Sequence, residues 1–236
     1  MLFAKGVLMY SLERTEMEKL YKNGLVIGRF APLHIGHNKL INESIKRCEK
    51  TLVLVGSAQE SGTLRNPLPL NMRINLIRQS YPGIPAQALL IRGINDLKNE
   101  LNNDFSWGEY VKKKVVKCLG VFTDLIIYGN DPQKRTWFNP SDIPETYELF
   151  VPRDEISGTY VRGLIVINDE AEWKKVTIPY IHNMYDEIRS QIMNIPIYQD
   201  IYAQISSHPT IENFMRVYKK FKKEDYAKKL SALNAK

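Results

Sequence analysis

The sequence predicts an α/β fold, a doubly wound and mostly parallel sheet followed by a C-terminal helical segment. Three observations carry this. Apolar runs of strand length alternate with stretches of helical apolar spacing, each run stops at small or turn-forming residues, and no strand pattern occurs beyond about Gln191. In such a sheet the ligand lies off the carboxyl ends of the strands.

Taken in order, residues 1–22 form a leader in which Thr15 and Glu18 have capping-box spacing for a short helix. Asn23-Gly24 reads as a turn into the apolar run Leu25-Val26-Ile27, the first strand. Leu40, Ile41, Ile45 and Cys48 then make a helical stripe beside Lys46, Arg47, Glu49 and Lys50. Thr51 to Val55 is a second strand, stopped at Gly56-Ser57, and completes a βαβ unit. The pattern repeats after a Gly- and Pro-containing loop (Ser61 to Pro69), with a helix from Asn71 to Gln79 and a strand from Ala88 to Ile91. A helix near Trp107 to Cys118 and a strand from Asp124 to Tyr128, ending at Gly129-Asn130, follow; Tyr147 to Val151 makes a fifth strand. From Ser157 onward the pattern is helical. The break at Asn194 to Pro196 divides a main domain, residues 23–190, from a basic helical extension, residues 191–236. In that extension Ile211, Phe214, Met215, Tyr218 and Phe221 share one helical face, opposite Lys219, Lys220, Lys222 and Lys223.

At 236 residues the chain can bury a core without staples. Its two cysteines, Cys48 and Cys118, make no disulfide framework, which fits a reducing, cytoplasmic setting. No apolar run reaches the roughly 18 to 20 residues of a membrane span, and the N-terminus lacks a signal-peptide pattern, so no membrane role is expected. The net charge of +7 invites a nucleic-acid reading, but from Asn213 to Lys236 eight basic residues face two acidic ones. The body is therefore nearly neutral. This distribution argues against nucleic-acid binding and points to the tail as a packing or assembly element.

The chemistry concentrates in GRFAPLHIGH, Gly28 to His37, where the first strand gives way to the first helix. Gly28 admits a phosphate or base close to the backbone, and Pro32 fixes the turn. His34 and His37, three apart, can face one side of the first helical turn. The unpaired amides and positive end of that helix suit a polyphosphate, and the imidazoles can donate to charge growing on its oxygens. His182 and His208 lack partners in the pattern and read as structural. In ISGTYVRG, Ser157 and Thr159 are helix-capping residues, and Arg162 brings a guanidinium fork suited to phosphate. The pattern offers no His or Cys cluster to complete a resident metal site.

The first stretch resembles the H-x-G-H signature of the nucleotidyltransferase superfamily. The second, about 120 residues later, resembles its I-S-x-T-x-x-R signature. Within that superfamily the chain is most similar to the archaeal-type nicotinamide-nucleotide adenylyltransferases. GSAQESGTLRNPL (Gly56 to Leu68), Trp107 with Tyr110-Val111, Tyr128-Gly129-Asn130, Trp173 and Ile178-Pro179 extend the likeness over Leu25 to Arg189. Ala31 and Leu33 depart from it, standing where that family usually has Gln and Phe; the loop before Trp107 is also longer.

The resemblance implies a Rossmann-like nucleotidyltransferase fold and an enzyme that joins nicotinamide mononucleotide to the AMP part of ATP, releasing pyrophosphate. It implies catalytic roles for His34, His37 and Arg162. It places ATP on Gly28, Arg29, Phe30, Gly36, Arg65, Gly129, Asn130, Ser157 and Thr159, and nicotinamide mononucleotide on Trp107 and Ser57. Trp107 would stack on the pyridinium ring; read alone, it serves equally as a core aromatic. Mg²⁺ would arrive with ATP, and a homo-oligomer is expected. Alternatives are another acceptor (nicotinate mononucleotide or pantetheine phosphate), a CTP-using relative, a class I tRNA-synthetase-like protein sharing the HIGH tetrad, and a non-catalytic nucleotide-binding regulator.

Overall fold

The computed structural model describes residues 19–97, 105–129, 137–152 and 155–234. Thr15 and Glu18 lie outside them. Five strands, β1 (Tyr21–Gly28), β2 (Cys48–Val55), β3 (Leu89–Gly93), β4 (Leu125–Gly129) and β5 (Tyr147–Val151), form one sheet in the order β3-β2-β1-β4-β5, parallel at every pairing. Helices α1 (Ile35–Arg47), α2 (Leu70–Gln79) and α3 (Ser106–Leu119) make the crossovers. The doubly wound α/β architecture predicted from the sequence is therefore present.

Because both faces are covered, the central strands are apolar on both sides. Val26, Val53, Val55, Ile91 and Ile127 enter the larger core, and Leu25, Ile27, Leu52, Leu54 and Ile126 enter the smaller one, where Val111 and Val115 of α3 pack. Strand order reverses at β1. Beyond the pair Val26–Ile127 the β1–β4 ladder stops, while β1 stays paired with β2 to Gly28–Val55. The parting of β1 and β4 at their carboxyl ends opens the crevice in which this class of sheet binds ligands.

Two local readings are corrected by packing. Asn23-Gly24 is not a turn but the inside of β1. Asn23 N–H donates to Asp124 Oδ2 at 2.8 Å, and a β-carbon on Gly24 would lie 2.3 Å from Ser44 Oγ and 2.6 Å from Cys48 Sγ. Glycine is required there by the close approach of α1, not by a turn. Cys48 is not the end of the α1 stripe but the buried first residue of β2; the buried α1 positions are Leu40, Ile41 and Ser44. The Ser44 hydroxyl is accommodated by Thr51 Oγ1 at 2.9 Å.

After β5 the chain is helical: α4 (Gly158–Val166), α5 (Glu170–Val176), α6 (Tyr185–Met193), α7 (Pro196–Ile205) and α8 (Ile211–Asn234). These helices share the larger core with the sheet. Trp173, Ile188, Tyr198, Ile201 and Phe214 are fully buried in it. As the spacing predicts, α8 turns Phe214 and Tyr218 inward and leaves Lys219, Lys220 and Lys223 exposed; Lys222, expected opposite the apolar face with them, is exposed too but follows Tyr218 by one turn and lies on its side of the helix. No helix among the described residues is long and apolar enough to cross a membrane.

The seat of α8 on α4 is set by Gly163. A β-carbon there would stand 2.4 Å from Ile211 Cδ1 and 2.6 Å from Phe214 Cδ1. Gly163→Ala is expected to destabilise the protein by about 1–3 kcal/mol, the usual cost of overpacking, with the loss read by denaturant unfolding. An unchanged midpoint and slope would show that α8 does not depend on this contact.

Candidate active site

The site is assembled where β1 ends. Phe30, a buried non-glycine residue, adopts φ +52°, and Ser57 at the end of β2 adopts φ +49°. Left-handed backbone at a bulky residue costs on the order of 1–3 kcal/mol, and such strain clusters at ligand sites. Its consequence here is geometric. The Phe30 ring lies 4.7 Å from that of His37, and His37 lies 3.8 Å from His34, so three rings support one another in the mouth of α1. His34 is the N-cap of α1; it makes no side-chain capping bond, and the first turn holds no acidic residue. The orphan amides and positive end of α1 are thus left to a ligand.

The loop after β2 is held by Arg73, which is fully buried on α2. Its guanidinium donates to the carbonyls of Arg29 (3.1 Å), Gly56 (2.7 Å), Ser57 (3.0 Å) and Glu60 (3.3 Å). Burial lowers its pKa from the usual arginine value, while these carbonyls fix its fork. Gly56 N–H also donates to Gly28 O at 2.8 Å, joining the ends of β1 and β2. Arg29 Nε donates to Ser57 Oγ at 3.2 Å.

On the opposite wall Ser157 caps α4, accepting from Tyr160 N–H at 3.2 Å. Arg162 is buried, with 6% of its surface exposed. It donates through Nη1 to Ala31 O (2.7 Å) and through Nη2 to Thr159 Oγ1 (3.0 Å) and the Tyr218 hydroxyl (2.8 Å). Gly158 leaves room for this: a β-carbon there would lie 3.3 Å from Arg162 Nη1. Arg162 is thereby the tie between the histidine motif, its own helix and α8. The Tyr218 hydroxyl donates in turn to Leu64 O at 3.2 Å, and Tyr198 donates to the same carbonyl at 2.8 Å. Burial pushes the Tyr198 phenol up, so it stays a neutral donor. Two tyrosines from the C-terminal helices therefore hold the residue next to Arg65.

Between these walls lies a cavity of about 360 Å³. The structure brings to it Gly28, Arg29, Phe30, His34, Gly36, His37, Arg65, Gly129, Ser157, Thr159 and Arg162 from among the residues singled out in the sequence. Tyr218 and Lys222 join them from α8. No carboxylate lines it among the described residues, whereas three arginines, a lysine and two imidazoles do. Such a chamber is suited to a polyanion. No group of three or more His, Cys, Asp or Glu among the described residues could hold a metal ion.

Two predicted residues stand apart, and the place of a third is not described. Ser57 is buried behind Arg29 rather than on the cavity wall, and its N–H donates to Asp96 Oδ1 at 3.2 Å. Trp107, half-buried on α3, sits in an aromatic group with Tyr110 (5.7 Å) and Trp137 (6.0 Å), outside the cavity. Asn130 lies outside the described residues. Sequence reasoning missed Arg73, Tyr198, Tyr218 and Lys222. The available signal for Arg73 was a lone arginine among the buried Met72, Leu76 and Ile77 of α2; for the others nothing marked them apart from ordinary helix faces.

Comparison with known proteins agrees with this geometry. The cytidylyltransferase-like family matches residues 25–213. The chain is 29% identical over 172 residues to the nicotinamide-nucleotide adenylyltransferase of Saccharolobus solfataricus, covering 70% of this chain and 91% of that one. It is 33% identical over 168 residues to the enzyme of the same name from Thermococcus sibiricus, covering 70% and 84%. Among solved structures, a bifunctional NMN adenylyltransferase/ADP ribose pyrophosphatase from Francisella tularensis superposes with a TM-score of 0.60 at 20% identity, over 79% of this chain. This chain spans about half of that protein's length, 54%. The likeness is one of fold. With the family match spanning most of the sequence and both walls of the cavity built from its motifs, the chain belongs to the cytidylyltransferase-like family.

Proposed function

We propose that this protein is a nicotinamide-nucleotide adenylyltransferase, transferring the AMP part of ATP to the phosphate of nicotinamide mononucleotide and releasing pyrophosphate. The observation that carries the reading is the cavity at the β1–β4 parting, lined by no carboxylate among the described residues, where the α1 N-terminus, the paired histidines, Arg29, Arg65 and the capped start of α4 converge. The archaeal relatives of that name, matched over most of their length, support it.

The chemistry asks little of the protein beyond placement. A phosphate monoester has its second pKa near 6, so the attacking oxygen is already anionic at neutral pH and no general base is needed. That oxygen bonds to the α-phosphorus while the bond to the bridging oxygen of the β-phosphate breaks, and the electron pair leaves with pyrophosphate. His34 and His37 donate to the charge developing on the phosphate oxygens, and Arg29 and Arg65 hold the triphosphate in line. Arg162 positions the loop of Ala31 and closes the wall. The divalent ion, Mg²⁺, enters bound to the triphosphate as part of the substrate and offsets its charge; the cationic lining suits that complex rather than a resident cation. Trp107, on the α3 side of the β4 end, receives the pyridinium ring.

The decisive assay offers nicotinamide mononucleotide, nicotinate mononucleotide and pantetheine phosphate, each with ATP or CTP. NAD and pyrophosphate are expected from the first acceptor with ATP. Product from a different pair only, or none from any, would refute the assignment. In the same panel Trp107→Ala raises the KM for the mononucleotide and spares that for ATP; a change in ATP alone would move Trp107 out of the acceptor site.

His37→Ala is expected to lower kcat by a factor of about 100 to 1,000, corresponding to about 3–4 kcal/mol for a lost donor to transition-state charge, with the fold intact by circular dichroism. A near wild-type kcat would remove the histidine from the mechanism.

A further inference from the structure

The C-terminal helix brings one cation to the reaction chamber. Phe214 is buried against Gly163 of α4, and Tyr218, one turn on, reaches Arg162 and Leu64 O. Lys222 is the next residue on that face, four further along, and it lines the cavity at its exposed rim. Its neighbours Lys219, Lys220 and Lys223 surround a separate groove on the outer side of the helix with Arg216 and Glu224. The described basic residues of α8 are therefore divided: Arg216, Lys219, Lys220 and Lys223 lie on the outer side, and Lys222 lines a chamber with no carboxylate among the described residues.

Several features give that ammonium a specific use. Lys222 takes part in no ion pair among the described residues. Its backbone is fixed by the Phe214 and Tyr218 contacts, while its four-carbon stem leaves the charge free to follow a ligand. The cavity is also graded in depth. His34 is 6% exposed at the inner end, and Lys222 stands at the rim. With the α-phosphorus at the histidines, as the proposed reaction requires, a triphosphate extending outward would bring its terminal phosphates to that rim.

We infer that Lys222 is a binding residue for the terminal phosphates of the nucleotide and for the departing pyrophosphate, supplied by a helix segment beyond the residues that the family match covers. The inference rests on the adenylyltransferase reading for the identity of the leaving group. The anion-binding role of Lys222 itself rests on the chamber alone.

The test uses the full chain as wild type, Lys222→Ala, Lys222→Arg and, as a control on the outer face, Lys223→Ala. Calorimetric titration with inorganic pyrophosphate in the presence of Mg²⁺ is run beside steady-state kinetics. Lys222→Ala weakens pyrophosphate binding about tenfold and raises the KM for ATP by a similar factor, the scale of a lost charge-assisted hydrogen bond. It leaves the KM for nicotinamide mononucleotide and the melting temperature unchanged. Lys222→Arg restores most of the loss, and Lys223→Ala behaves as wild type. Pyrophosphate binding by Lys222→Ala equal to that of wild type, or an equal loss in Lys223→Ala, would overturn the inference. If wild type forms no NAD while pyrophosphate binding still falls in Lys222→Ala alone, the proposed reaction fails and the anion-binding role stands. If wild type does not bind pyrophosphate at all, the inference is overturned.

Discussion

The guanidinium of Arg162 is the joint on which the site depends. Burying a charge is expensive unless hydrogen bonds replace water, and here the carbonyl of Ala31, the Thr159 hydroxyl and the Tyr218 hydroxyl do so. Those three acceptors come from pieces of chain that nothing in the sheet itself would bring together: the β1–α1 loop, α4 and α8. Tyr218 passes the constraint on by donating to Leu64 O, beside Arg65. The residue whose guanidinium suits a phosphate is thus also a keystone between the two signature motifs and the C-terminal helix.

Arg73 does the corresponding work from the other side of the crevice. Its four carbonyl acceptors belong to the segments following β1 and β2, so the left-handed turns at Phe30 and Ser57 are held by a side chain from α2. Of these two buried arginines Arg73 shapes the chamber from behind its wall, while Arg162 lines it together with Arg29, Arg65 and Lys222. This division explains how a nearly neutral body presents a cationic chamber. The charge is local and placed, and the +7 of the whole chain has little to do with it.

Much of this was legible in the sequence. Buried parallel strands are continuous apolar runs, and five such runs separated by helical spacing were enough for the sheet. The histidine pair announced itself by spacing at a strand–helix junction, and Ser157 by its capping position. What escaped was decided by tertiary contact. Gly24 reads as a turn until α1 is seen to press on it, and Cys48 fits a helical stripe that ends one residue earlier. Tyr218 and Tyr198 look like core aromatics because their rings are; only their hydroxyls reveal the shared acceptor. Lys222 is indistinguishable by sequence from Lys223, since a one-residue step around a helix decides which ammonium meets the chamber.

If Arg162 acts through its bond to Tyr218, the two residues must be energetically coupled. A double-mutant cycle in kcat/KM with Arg162→Lys and Tyr218→Phe measures this directly. The predicted result is a coupling of at least about 1 kcal/mol, with the double variant little worse than the poorer single variant. Strictly additive losses would contradict the account, leaving the Tyr218 hydroxyl a bystander to the chemistry.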